Sequence, residues 1–131
     1  MIDIAFAFPP LMLIRISIAA VWLYEGLWCK LLGRVPSQAE VVAAVPLLGP
    51  RFGASFLKVL GAIEVAVALW VLSGITPALC AVVQGVLLIA LNVNGLLWAR
   101  RRIHDPAGMV AKNGAFLVLV WVAGALPLLK P

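Results

Sequence analysis

Charge is what this sequence has least of. Asp, Glu, Lys and Arg make up 11% of its 131 residues, where about 25% is usual in soluble domains. A globule this small needs far more polar surface to cover itself. That scarcity excludes an ordinary cytosolic enzyme, a disordered chain and a nucleic-acid-binding module. Histidine occurs once, as His104. A haem held by two histidines and the paired Glu-x-x-His pattern of di-iron bundles are therefore not expected. Nor is a metal site built from Glu25, Glu64 and His104, because His104 falls in a loop. Cysteine occurs twice, too few for a disulfide framework. Cys29 and Cys80 fall near opposite ends of their apolar runs, nearly a membrane thickness apart, and so cannot pair within one chain. Cys-x-x-Cys, a glycine-rich phosphate loop and Gly-x-Ser-x-Gly are all missing. Stand-alone hydrolase or dehydrogenase chemistry is not expected from such a chain. The N-terminus carries Asp3 in place of a basic region, and its apolar run continues too far for a cleavable signal peptide.

What is abundant is apolar sequence, at 65% of residues with a mean hydropathy of +1.15. The runs are continuous rather than alternating at period two, which predicts spanning helices and not a barrel. A bilayer core of about 30 Å takes roughly 20 helical residues. Four runs qualify, at about residues 10–32, 56–73, 77–99 and 107–127. Pro9 and Pro10 suit the start of the first, and Ser73-Gly74 suits a stop for the second. Thr76-Pro77 and Asp105-Pro106 each read as an N-cap followed by proline at the first helical position. Pro127 discourages extension of the fourth. The predicted fold is all-α, a four-helix transmembrane bundle formed by residues 1–131 as one domain. The one long connection, Gly33 to Ser55, holds Ser37-Gln38-Ala39-Glu40, a capping-box pattern before an apolar stretch that ends at Pro46. That stretch is too short to span. It predicts a short interfacial helix, or one packed on the bundle, serving as a connector or as a lid over a site.

All Lys and Arg except Arg15 and Lys130 fall in the first and third loops or their flanks, and the second loop, Ser73 to Thr76, has none. The positive-inside bias then puts loops one and three in the cytoplasm and both termini outside. The net charge of +5 is read as this topology signal and not as a nucleic-acid site. Arg100, Arg101 and Arg102 also suit anionic lipid or an acidic partner.

Ionisable groups in a bilayer core cost about 2.5–3.5 kcal/mol each on insertion scales, so they face a bundle interior or a cavity. At 1.5 Å per residue, Glu25 lies about 10 Å and Glu64 about 12 Å inside the cytoplasmic ends of their helices. Asn92 and Asn94 lie within about 10 Å of the same side, and Lys112 and Asn113 about 5 Å from it. Polar residues of all four helices thus converge in the cytoplasmic half, leaving mainly Arg15 and Gln84 in the outer half. Arg15, Ile18, Trp22, Glu25 and Cys29 form one stripe. Gly61, Glu64 and Ala68 line a face, with Ala62 and Ala66 nearby. Asn92 and Asn94 are about 160° apart, so only one faces a shared point.

Two readings of Glu25 and Glu64 stand side by side. They form a ligand or proton site, or they belong to a structural network with Lys58, Lys112 or Arg15. Lys30, Lys58 and Lys112 can snorkel to the headgroups, and Arg15 can snorkel outward or pair inside. The asparagines also suit interhelical hydrogen bonding. Trp28, Trp70 and Trp98 lie near span ends, as interface anchors do. Trp22 and Trp121 lie deeper, where they line a planar ligand's pocket or fill core. The candidate ligand-binding set is Glu25, Glu64, Asn92, Lys112, Asn113 and Trp22. A quinone-type ligand suits it chemically: planar and apolar, with carbonyls that accept from lysine, asparagine or a protonated glutamate.

Arg15 is followed by Glu25-Gly26-Leu27-Trp28-Cys29-Lys30, then Pro36, then Gly61-Ala62-Ile63-Glu64. His104-Asp105-Pro106-Ala107-Gly108-Met109 leads on to Lys112-Asn113. In these elements the chain resembles the DoxX-like family of small four-span membrane proteins. The resemblance implies a multi-pass protein of the bacterial inner membrane. That family takes its name from a small subunit of a membrane thiosulfate:quinone oxidoreductase complex. Similar domains are joined to epimerase-like, NAD-binding domains, and distant relatives include cargo receptors and receptor-assembly chaperones. No catalytic residues are carried over. The function expected is an accessory subunit of a membrane redox system. It would bind a quinone-like or other apolar small molecule, with a soluble or membrane redox partner and the surrounding lipid. The alternatives are a non-catalytic adaptor or assembly chaperone for another membrane protein, and a small transporter.

Overall fold

The computed structural model describes residues 11–46 and 49–129. The Pro9–Pro10 helix start and Asp3 lie outside the described residues. Helix α1 covers Leu11–Leu23 and runs on without a break as a π-helical segment, Tyr24–Leu31. Helix α2 covers Pro36–Ala43, α3 Gly49–Ser73, α4 Pro77–Trp98 and α5 Pro106–Ala125, with short 3₁₀ turns at Arg100–Arg102 and Leu126–Leu129. The described residues contain no strand. Four stretches, Leu11–Leu31, Arg51–Ser73, Pro77–Trp98 and Pro106–Leu128, are long and apolar enough to cross a bilayer. The fold is the expected all-α four-span bundle of an integral, multi-pass membrane protein.

Helix α1 packs chiefly on α3 and also on α5, α5 packs on α4, and α3 meets α4 much less. The core is filled from every span, by Ile18 and Trp22, Ala68 and Val71, Cys80 and Leu88, and Phe116 and Val120. The outward faces are apolar too, with Leu69, Val86, Val118 and Trp121 exposed. Water would penalise a surface of this kind, whereas hydrocarbon accommodates it and lipid covers it.

The helix ends follow local chemistry, with three departures from expectation. Asp105 caps α5, its Oδ1 accepting from the Gly108 N–H at 3.0 Å, and Pro106 fills the first helical position. Asp105→Ala is expected to destabilise the protein by about 1 kcal/mol, and Asp105→Asn by much less. Thermal unfolding of both variants in one detergent measures this. Thr76 stands at the N-cap of α4, but its φ is 43° and its side chain makes no capping bond. Instead Trp70 Nε1 donates to the Ile75 carbonyl at 2.8 Å and to Thr76 Oγ1 at 3.3 Å, closing a turn that Gly74 opens at φ 69°. The Ser37–Glu40 capping box does not form: Val35 is the N-cap of α2 and Pro36 its first residue. Proline's fixed φ starts the helix before Ser37 can cap it. Helix α3 begins at Gly49, ahead of the expected residue 56. Gly53 lies against Val42 and Ala43 of α2, so packing between these helices sustains the additional turns.

Candidate functional site

The site is built around a change of helical pitch. In a π-helix the bonds run i→i+5, so residues five apart stack. The Leu32 N–H accordingly donates to the Leu27 carbonyl at 2.8 Å. Glu25 and Lys30 are five apart, and in an α-helix they would point about 140° away from each other. The wider turn brings them together, with Lys30 Nζ 3.5 Å from Glu25 Oε2 and 3.4 Å from the Glu25 carbonyl. The ammonium then reaches across to α3, 3.0 Å from Glu64 Oε2, with the Lys30 side chain 8% exposed and that of Glu64 1%. Gln38 Nε2, from α2, donates to Glu25 Oε2 at 2.9 Å. One lysine thus serves two carboxylates, and a residue of the short helix α2 holds the more exposed of them.

Two glycines make that reach possible. Gly26 and Gly61 face each other across α1 and α3, and a Cβ on Gly26 would lie 2.7 Å from the Gly61 carbonyl oxygen. Small residues at a crossing let helix backbones approach this closely. Glu64 sits one turn beyond Gly61 and meets Lys30 across the same crossing.

Beside this network lies a cavity of about 470 Å³ lined by all five helices. Its apolar wall includes Trp22, Leu57, Leu60, Leu88, Leu91 and Phe116, and its polar groups include Glu25, Lys30, Gln38, Asn92, Asn113, Arg102, His104 and Lys112. The Trp22 and Phe116 rings meet edge to face, with centroids 5.7 Å apart. Trp22 is fixed from behind, its Nε1 donating to Gln84 Oε1 at 2.8 Å. Gln84 Nε2 donates in turn to the Cys80 carbonyl at 3.2 Å. Asn113 Nδ2 donates to Asn92 Oδ1 at 3.0 Å, and Asn92 Nδ2 to the Leu88 carbonyl of its own helix at 2.8 Å. A largely apolar hollow of several hundred Å³ with a few fixed polar groups is the usual form of a small-molecule site.

Of the residues singled out in the sequence, Trp22, Glu25, Asn92, Lys112 and Asn113 line this one cavity. Glu64 does not, because Lys30 stands between it and the open space. Lys30 itself is a correction: it does not snorkel to the headgroups but is buried between the carboxylates. Its α-helical phase put it off the Glu25 stripe, and the π turn restored it. Neither Lys58, Lys112 nor Arg15 pairs with Glu25 or Glu64; the ion pairs among the described residues are those of Lys30. Arg15 is half-buried at the other end of the bundle, beside Gly74, in a crevice of about 20 Å³ that also touches Cys80 and Gln84. Trp121 is 66% exposed and faces lipid, neither pocket nor core. Ala62 and Ala66 are exposed, off the buried face of Gly61, Glu64 and Ala68. Asn94 turns outward and bonds the Ala90 carbonyl of its own helix at 2.8 Å. Three further cavity residues, Gln38, Arg102 and His104, come from connections whose course the helical period does not determine.

Comparison with known proteins gives one family. A family model described as the DoxX-like family matches residues 19–121. No curated protein and no solved structure matches the chain.

Proposed function

The chain belongs to the DoxX-like family, and on that premise we propose that it binds a quinone-like apolar small molecule in the five-helix cavity, as an accessory subunit of a membrane redox system. The observation that carries this reading is the cavity itself. It is about 470 Å³ in volume, with aromatic and leucine side chains on one part of its wall and nitrogen donors on another. A planar ring with two carbonyls matches that donor set. Trp22 and Phe116 would hold the ring, and Asn113 and Lys112 would donate to its oxygens. The chemistry a quinone supplies is the carriage of electrons and protons within the lipid phase. The chain's own contribution is to orient the molecule and keep water from its apolar part. The positive-inside bias of the basic loops supports a cavity on the cytoplasmic side and both termini outside.

The test uses protein extracted together with its surrounding lipid, followed by mass spectrometry of the bound small molecules. A quinone-like species enriched over the bulk lipid extract is the expected result. Its enrichment falls several-fold in Leu91→Trp, which fills the cavity, while the protein remains folded. Equal content in wild type and Leu91→Trp, or no enrichment in either, overturns the reading.

A second reading draws on one observation. Arg100, Arg101 and Arg102 are all exposed on a single turn, a compact cationic surface for an acidic partner. An adaptor or assembly chaperone would use it. Its signature is a stoichiometric partner in a mild-detergent pull-down that is lost in Arg100→Gln/Arg101→Gln.

A further inference from the structure

The ionisable side chains around the cavity are sorted onto different walls. On α1 and α3 they are engaged with one another. Glu25 accepts from Gln38 at 2.9 Å and lies 3.5 Å from Lys30, and Glu64 takes Lys30 at 3.0 Å behind the cavity wall. On α5 and the loop before it, Arg102, His104 and Lys112 line the cavity at its exposed end. None of these three has a carboxylate partner among the described residues. Topology alone does not require this arrangement. Arg34, Arg51, Lys58, Arg100 and Arg101 are exposed outside the cavity lining and already carry the positive-inside signal. The inner end is apolar, with Trp22, Leu88 and Phe116 buried there.

We infer that the cavity takes an amphipathic anion. A carboxylate or phosphate head would sit on Arg102, His104 and Lys112 with Asn113 beside them, and an apolar tail or ring would reach toward Trp22, Leu88 and Phe116. This rests on the reading of the cavity as a small-molecule site and changes its occupant, whose head carries a negative charge that a quinone lacks. A guanidinium and an ammonium form charge-assisted bonds with such a head. The engaged Glu25 and Glu64 leave the head the α5 side of the cavity.

Tryptophan fluorescence tests this on the full chain in lipid nanodiscs. The probes are a medium-chain fatty acid brominated at its tail end and the alcohol of the same chain, since bromine quenches tryptophan on contact. Of the five tryptophans, Trp22 lines the cavity. The acid is expected to produce a saturable quenching component that disappears in Trp22→Phe. The acid binds about tenfold more tightly than the alcohol, and Arg102→Gln/Lys112→Gln weakens the acid about tenfold and the alcohol far less. Equal binding of acid and alcohol, unaltered in the double variant, overturns the inference and leaves a cavity for neutral apolar molecules. Displacement of the acid by inorganic phosphate at equal concentration also overturns it, by showing an anion site indifferent to the tail. Absence of a saturable Trp22 component with either probe overturns the cavity reading as well.

Discussion

Glu64→Ala is expected to lower the unfolding free energy by about 3–5 kcal/mol, because it leaves a buried ammonium without its nearest counter-charge. Lys30 is 8% exposed and sits 3.0 Å from the Glu64 carboxylate, with Glu25 farther off at 3.5 Å. Glu64→Gln keeps an acceptor for the Lys30 ammonium and loses less. The informative comparison is Lys30→Met/Glu64→Leu. It removes the two buried charges and leaves only the more exposed Glu25, which Gln38 still holds, so it is expected to recover most of the stability lost in Glu64→Ala. Unfolding of the four proteins in one detergent measures this. A Glu64→Ala protein as stable as wild type would show that Glu64 does not carry the Lys30 charge. The double variant also separates the two roles the glutamates can have. If it folds and retains the bound small molecule, the network is a structural support for the cavity; if it folds and loses that molecule, the network serves the ligand.

The spans were legible because each combines about 20 apolar residues with a chemical stop. Asp105-Pro106 and Ser73-Gly74 mark ends that the structure keeps. The convergence of Glu25, Asn92, Lys112 and Asn113 was legible from depth, because up-down helices of equal rise put residues of equal depth side by side; the same count also admitted Glu64 and Asn94, which do not line the cavity. Azimuth was less legible. Lys30 read as a residue able to snorkel to the headgroups, since at 100° per residue it lies away from Glu25 and no apolar periodicity announces a π turn. The same limit applies to Trp121, which is deep enough for a pocket but faces lipid. In a membrane protein the outward face is apolar as well, so hydrophobicity does not tell core from periphery. The wall supplied by α2 was out of reach for another reason. Gln38 meets Glu25 through a fold of the first loop, and nothing in a loop's composition fixes where it lands. The family match covers residues 19–121. It takes in Glu25, Lys30, Glu64 and the His104–Asn113 segment, and leaves Arg15 outside.

Gly61→Ala is expected to destabilise the bundle by about 1–3 kcal/mol or more, although alanine is the better helix former. A Cβ at Gly61 would sit 2.8 Å from the Gly26 carbonyl oxygen and 2.9 Å from Lys30 Cβ. The first of these is backbone, so relief requires α1 to move away from α3. Gly114→Ala on α5 is the control, since a Cβ there meets nothing within 4 Å. Propensity alone then applies, and the change is expected to stabilise by up to about 1 kcal/mol. Opposite signs at two helical glycines separate close approach from propensity; equal signs would argue against the α1–α3 contact. The Gly61 variant also acts on the ion pair. Because Lys30 Cβ is among the atoms that must move, the pair with Glu64 lengthens as the helices part. Glu64→Ala is therefore expected to lose less stability in the Gly61→Ala background than in wild type, a coupling that a double-mutant cycle reads directly. Strict additivity would mean that the helix crossing and the buried pair are independent. Coupling would mean that the two glycines hold Lys30 against Glu64 and fix the cavity wall that Lys30 and Glu25 form.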